Sequence, residues 1–426
     1  MQIIENTQIK EKLYIEKLEN GLTVMIIPKK GIRKKYAMWA THYGSIDNKF
    51  IVPGEEDITE VPDGIAHFLE HKLFEQENGT NSLDVLTALG VNANAYTTNN
   101  YTTYLFEATD NFYPALDELM DYVQNPYFTD ENVEKEKGII AQEIKMYDDY
   151  PEWVVYMNVL KSMYKNNPVK IDIAGDVESI YKIDKDILYK CYNTFYNPAN
   201  MVMCFSGDFE PEELIREIKK RLIEKPKQME IKRIYEEEPK EIVRKRIEQK
   251  MEVSMPLFVV GIKDKLSDKN QDIVKKHIAI EILLNMIIGK SSKLYKELYE
   301  SELLISEPFL EYEFTDNYAH AVITGNSKNP DKVLEKIQEE IEELKRKGLN
   351  SEHFERIKNM LYGNIVKEFN NVSDIARMFV TDYFKGVNSF DYLENYKQVT
   401  MDYTLGILKE VFLKDNMVIS IIKSNK

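Results

Sequence analysis

The chain has 426 residues, is 43% hydrophobic and carries a formal net charge of −16. That length exceeds one typical domain and sets two domains of about 200 residues each as the starting expectation. An acidic balance of this size argues against a nucleic-acid backbone or an anionic membrane as partner and leaves room for a neutral or basic peptide.

The N-terminal stretch "MQIIENTQIKEKLY" has no basic region followed by an apolar core, so no signal peptide is expected. No window reaches the ~18 consecutive apolar residues of a membrane span. "EKLENGLTVMIIPKK" reads as a strand, an Asn-Gly turn and a second strand, and "KKYAMWATHYGS" alternates like another strand. "PDGIAHFLEHKLFEQ" has apolar residues at helical spacing, with Pro62 and Asp63 where a helix would start. "VNANAYTTNNYTTYLFEAT" is β-branched and aromatic, a hairpin signature. Two helical stretches follow, "FYPALDELMDYVQNP" and "TDENVEKEKGIIAQEIKMYDD", the second with Thr129 or Asp130 as its cap. Cys191 and Cys204, the only two cysteines, stand at no metal-ligand spacing and read as buried, reduced thiols of a cytoplasmic protein.

Residues 226–248 are mostly charged and read as a solvated linker between a domain at 1–225 and one at 249–426. The second half resembles the first. "PYFTDENVEKEKGIIAQEI" lies over "KGLNSEHFERIKNMLYGNI" without a gap, Phe128 on Leu349 and Ile144 on Ile365. Later, Asn200-Met201-Val202 lies over Asn416-Met417-Val418. The order of elements repeats while the chemistry does not, since Glu136 falls on Ile357 and Glu143 on Asn364. The expectation is an α+β chain of two homologous domains, each an antiparallel-rich sheet covered by helices, with polar machinery only in the first.

That machinery centres on His67, Glu70 and His71, in a chain with only six histidines. Helical positions four apart share a face, so both imidazoles can point at one ion. Zinc accepts histidine nitrogen at about 2.0–2.1 Å and in catalytic sites keeps three protein ligands plus water. Glu70, beside that face, suits a general base acting on metal-bound water. His-x-x-Glu-His is the inverted form of the His-Glu-x-x-His zinc motif. A third ligand must come from elsewhere, and the helix holding Glu136 and Glu143 is the best source. The two are separated by about 10.5 Å along the axis. One therefore binds metal while the other orients a histidine from behind. Glu143 has the more apolar neighbours, and so the greater need of a partner.

With "HFLEHKLFE", "NAYTTNNYTTYLFE", "EKEKGIIAQEI" and the duplicated domain in view, the chain resembles the pitrilysin/insulysin family of zinc metallopeptidases, in its bacterial half-size branch. The resemblance implies zinc held by His67, His71 and Glu143, Glu70 as catalytic base, and Glu136 as the carboxylate behind a ligand. It also implies that Asn94 and Ala95 lie on an edge strand that pairs with the substrate backbone. The family's architecture is a clamshell of four homologous domains, so this chain corresponds to one half and is expected to dimerise around a chamber that admits peptides or unfolded segments. In the family, an Arg and a Tyr seven residues later reach the partner's metal site and help stabilise the developing oxyanion. The matching positions here are Tyr299 and Ser306. A homodimer therefore lacks the pair, and a heterodimer takes it from a homologous subunit. A non-catalytic peptide-binding or assembly subunit is the alternative reading, and a hydrolase of small molecules the third. Lys72, where the family often has Met, is a smaller departure.

Overall fold

The computed structural model describes residues 1–227, 230–265 and 272–425. The first half contributes strands β1 (Gln2–Asn6), β2 (Glu11–Lys17), β3 (Thr23–Pro28), β4 (Lys35–Thr41), β5 (Lys49–Ile51), β6 (Ile58–Glu60), β7 (Asn92–Thr97), β8 (Thr102–Ala108), β9 (Met201–Gly207) and β10 (Lys232–Arg233). Its helices are α1 (Ile65–Lys72), α2 (Ser82–Ala88), α3 (Phe112–Gln124), α4 (Asp130–Asp148), α5 (Pro151–Met163), α6 (Val177–Ile180), α7 (Lys185–Phe195) and α8 (Pro211–Arg221). The second half adds β11 (Arg246–Met251), β12 (Leu257–Asp264), β13 (Phe309–Phe314), β14 (Ala319–Asn326) and β15 (Met417–Ser424). It also holds α9 (Ile273–Ile288), α10 (Lys293–Glu300), α11 (Pro330–Lys347), α12 (Ser351–Glu368), α13 (Val372–Phe384), α14 (Ser389–Gln398) and α15 (Met401–Val411).

The chain divides into two compact units, neither of them one continuous stretch of sequence. The first comprises Met1–Ile144, Ile171–Ile234 and Val366–Gly386, the second Lys145–Lys170, Tyr235–Ile365 and Val387–Lys426. Each unit therefore takes one helix from the other half of the sequence.

In the first unit the main sheet has the order β1-β2-β3-β9-β4-β8-β7, and only the β3–β9 pair is parallel. The expected strand pair around Asn20-Gly21 is β2–β3, with Gly21 at φ 94°, and the hairpin is β7–β8. Strand β4, in the middle, is almost wholly buried, as a strand covered on both faces must be. Its core is built from sheet residues such as Trp39, Tyr104 and Phe106 packed on Phe68 and Leu69 of α1, Leu116 and Leu119 of α3, and Leu188 and Phe195 of α7. Helix α13 packs on β9 and β4, tied by Arg377 to the Tyr36 hydroxyl (3.2 Å) and by Thr381 to Tyr101 (2.9 Å).

The second unit repeats the plan with the order β11-β15-β12-β14-β13, again with a single parallel pair, β11–β15. Helix α5 packs on β12 and β15. Gly261 in β12 allows that close approach, because a Cβ there would stand 2.9 Å from the Met163 sulfur. The correspondence read from the sequence is visible in both registers. Helices α4 and α12 occupy matching places, and β9 and β15 each follow a 3₁₀ turn. The α+β class with two homologous, antiparallel-rich layered units holds.

Two local expectations need amendment. The helix expected to start at Pro62 and Asp63 starts two residues later, at Ile65. The N-cap is Gly64 at φ 88°, where a Cβ would meet the Ala174 carbonyl oxygen at 2.2 Å. Only glycine fits both the left-handed backbone and that approach. Asp63 instead accepts from Asn48 through its side chain and from Ser179 through its carbonyl. The charged stretch 226–248 is not solvated throughout. Arg233 pairs with buried Asp47 at 2.9 Å, while Glu238 pairs with buried Lys263 and accepts the backbone N–H groups of Lys165, Asn166 and Asn167. For α4 the expectation is met, with Thr129 Oγ1 accepting from the Asn132 N–H at 3.1 Å.

Candidate metal centre

Helix α1 presents His67, Glu70 and His71 along one side because they fall three and four residues apart. Its opposite side, with Phe68 and Leu69, is fully buried and fixes the helix's rotation. Helix α4 brings Glu136 and Glu143, two turns apart, against it.

The Nε2 atoms of His67 and His71 lie 3.8 and 3.6 Å from the two carboxylate oxygens of Glu143. One donor atom from each of the three residues falls within 4.8 Å of the others. These separations are too long for hydrogen bonds. They are close to the edge of a tetrahedron of donors about 2.1 Å from a common ion, which is about 3.4 Å. The donor set, two imidazole nitrogens and one carboxylate, is one that zinc takes. His67 Nδ1, buried, has no hydrogen-bond partner among the described residues. Spacing and donor chemistry thus fit a metal ion.

The surroundings set the charge of each group. Burial, helped by the neighbouring His71, pushes the His67 imidazole down to about 3, so it stays neutral with a lone pair to offer. For His71 burial works downward too, but the hydrogen bond from its Nδ1 to Glu136 Oε1 at 3.0 Å and the nearby carboxylates hold it above the ordinary histidine value. Glu136 is itself buried, which would raise it; the bond to His71 and the charges of His71 and Lys72 bring it below the ordinary carboxylate value. That bond also settles the tautomer of a neutral His71, with Nδ1–H facing Glu136 and Nε2 facing Glu143. Lys72 is completely buried, its ammonium 2.5 Å from Glu75 and 3.8 Å from Glu136.

Glu70 is 7% exposed, and burial pushes it up to about 6 against the hydrogen bond from Thr97. The Thr97 hydroxyl donates to its Oε2 at 2.6 Å. Thr97 ends β7, the edge strand of the sheet, which packs on α1. The same strand carries Asn94, exposed, and Ala95, buried. The Ala95 N–H bonds to the Asn94 side chain at 2.9 Å, so this edge amide is covered within the strand.

The residues expected at the metal therefore fall in one region, with Asn94 and Ala95 on the strand beside the helix. Thr97, Lys72 and Glu75 belong to the same region and were not singled out as members of it. For Thr97 a signal existed, since strand alternation puts it on the face of Ala95, the residue packed into the core. In the second unit the matching helix offers Ile357 and Asn364 in place of the two glutamates. Tyr299 and Ser306 are both solvent-exposed.

Residues 57–177 match the model of the insulinase family (peptidase family M16), and residues 182–361 match that of the M16 peptidase inactive domain. The uncharacterized zinc protease YmfH of Bacillus subtilis is 42% identical over 98% of this chain and 97% of its own length. A second zinc protease of that organism, YmxG, is 24% identical over 86% of this chain and 90% of its own. Among solved structures, an M16-like peptidase of Alicyclobacillus acidocaldarius superposes with a TM-score of 0.93 at 33% identity, covering 99% of this chain and all of that one. The periplasmic protease PqqL of Escherichia coli shares the fold at 16% identity and TM-score 0.76, with 48% of its length covered. Among the described residues no helix is long and apolar enough to cross a membrane. On full-length identity to a zinc protease and on matches to both domain models, the chain belongs to peptidase family M16, among its half-size members.

Proposed function

We propose that this chain is a zinc-dependent endopeptidase of extended peptides or unfolded segments. The observation that carries the reading is the triangle of donor atoms from His67, His71 and Glu143, with the buried carboxylate of Glu70 on the same helix. When bound there, zinc would polarise the scissile carbonyl and make the attacking water acidic. Glu70 takes the proton from that water and passes it to the leaving amine. Glu136 keeps the His71 ring in place through Nδ1. The peptide lies along β7 as an added strand, using the backbone groups of Asn94 and Ala95 once the Asn94 side chain releases the edge amide.

The working unit in this reading is a dimer enclosing a chamber. Because Tyr299 and Ser306 replace the Arg and Tyr of the family pattern, the partner is a homologous subunit that supplies them. A cytoplasmic setting suits Cys191 and Cys204, both buried free thiols. The test is cleavage of a quenched-fluorescent peptide library by protein of known zinc content, beside Glu70→Gln. Hydrolysis lost in the variant with about one zinc per chain retained is the result expected of the base, and hydrolysis by the parent chain alone overturns the heterodimer. Protein that binds no zinc after reconstitution sinks the proposal and favours the peptide-binding subunit. Protein that binds zinc and cleaves only when mixed with a homologous subunit upholds the heterodimer.

A further inference from the structure

The hydroxyl of Thr97 has one proton and two acceptors in reach, Glu70 Oε2 at 2.6 Å and Thr102 Oγ1 at 3.2 Å. Thr102 cannot return a proton, because it is fully buried and its own goes to the Tyr43 carbonyl at 2.9 Å. The nearer and charged acceptor therefore takes the Thr97 proton. Glu70 is thus gripped by the end of the edge strand rather than by its own helix. Thr97 and Thr102 face each other across the β7–β8 ladder, which sets the spacing of the two hydroxyls.

We propose that Thr97 is a positioning residue for the hydrolytic step: it pins one oxygen of Glu70 to the edge strand and so aims the other at the attacking water. The proposal rests on Glu70 being the base. It also has a consequence for substrate binding. The residue holding the base sits two positions from Ala95 on the strand that would carry the peptide, so an added strand and a correctly aimed base are mechanically linked. A side chain that merely filled space at this position would not distinguish a hydroxyl from a methyl.

The test compares Thr97→Val, which keeps the shape and removes the hydroxyl, with Thr97→Ser, which keeps the hydroxyl. Both are made in the full chain loaded with zinc, in the complex that hydrolyses peptide. Thr97→Val is expected to lose roughly ten- to a hundredfold in kcat, with KM within about twofold and zinc content unchanged. Thr97→Ser is expected to recover most of that loss. Equal activity of Thr97→Val and the parent overturns the proposal, and so does an equal loss in both variants. Crystal structures of the two variants give a reading that does not need activity. A Glu70 carboxylate displaced in Thr97→Val and restored in Thr97→Ser supports the pinning, and an unmoved one overturns it. Failure of the base assignment itself would show separately, as a Glu70→Gln variant that still hydrolyses.

Discussion

Removing the carboxylate behind His71 separates metal affinity from stability more cleanly than removing a ligand. In Glu136→Ala, His71 Nδ1 loses the acceptor at 3.0 Å that fixes its ring and tautomer. Loss of such a partner typically lowers metal affinity 10- to 100-fold, about 1.4–2.7 kcal/mol. The fold should suffer less than the burial of Lys72 suggests. Its ammonium keeps Glu75 at 2.5 Å and loses only the longer 3.8 Å contact. The cost is then that of a lost charged hydrogen bond, about 1.5–3 kcal/mol, rather than the 3–5 kcal/mol of an orphaned buried charge. Glu136→Gln keeps an oxygen that can accept from Nδ1–H and should fall between parent and alanine variant. The assay is zinc competition against a fluorescent chelator at neutral pH, with urea unfolding of the metal-free proteins run in parallel. A zinc affinity in Glu136→Ala within twofold of the parent, in a protein that still folds, would refute the claim that Glu136 orients a ligand.

Other consequences can be measured on the same preparation. Gly64→Ala must strain a backbone at φ 88° and push a Cβ to within 2.2 Å of the Ala174 carbonyl oxygen, so a loss of at least about 2 kcal/mol is expected, together with weaker zinc binding as α1 shifts. An unchanged urea midpoint contradicts this. Glu238→Ala leaves Lys263 without a carboxylate, held by the carbonyls of Pro239 and Glu241 and the Tyr164 ring, and frees three backbone N–H groups, which should cost about 2–4 kcal/mol in the second unit. Burial would raise the Glu238 carboxyl, but Lys263 and those three N–H groups hold it below the ordinary glutamate value. Because the folded value is depressed, its contribution is complete above the unfolded value of about 4.3 and is lost as pH falls through the folded one. Glu238→Gln should therefore show a flatter acid limb of stability against pH below about 4.5. Parallel acid limbs in parent and variant would count against the pairing.

How much of this the sequence discloses depends on the range of the interaction. His67 and His71 are legible because helix geometry alone brings residues four apart together, and the α4 cap at Thr129 because it reaches only to Asn132. Duplication is legible because packing positions recur, with Phe128 and Leu349 both buried. The cap of α1 is not legible, because Gly64 answers to the Ala174 loop, 110 residues away in sequence. The exchange of α5 and α13 between the two halves leaves no local trace, since each reads as an ordinary amphipathic helix and its sheet lies far along the chain. Glu238 and Arg233 looked solvated for the same reason, because their partners Lys263 and Asp47 come from distant segments.

The two matching helices also show what installing a metal site requires of this fold. Glu136 is 6% exposed and its counterpart Ile357 is 1% exposed, so the position belongs to the interior in both units. An isoleucine there needs nothing more than packing. A carboxylate must be held by hydrogen bonds and opposite charge, which His71 and Lys72 supply. Lys72 in turn is tolerable without solvent chiefly because Glu75 pairs with it at 2.5 Å, Glu136 adding its charge at 3.8 Å. Glu136 and Lys72, the two buried members of the group, are therefore each held by partly exposed partners, His71 and Glu75, and neither has a reason to be buried alone. The departure at Lys72 then has a physical account: a buried cation there offsets a carboxylate that the metal-binding histidine needs, at a position that in the other unit is simply core.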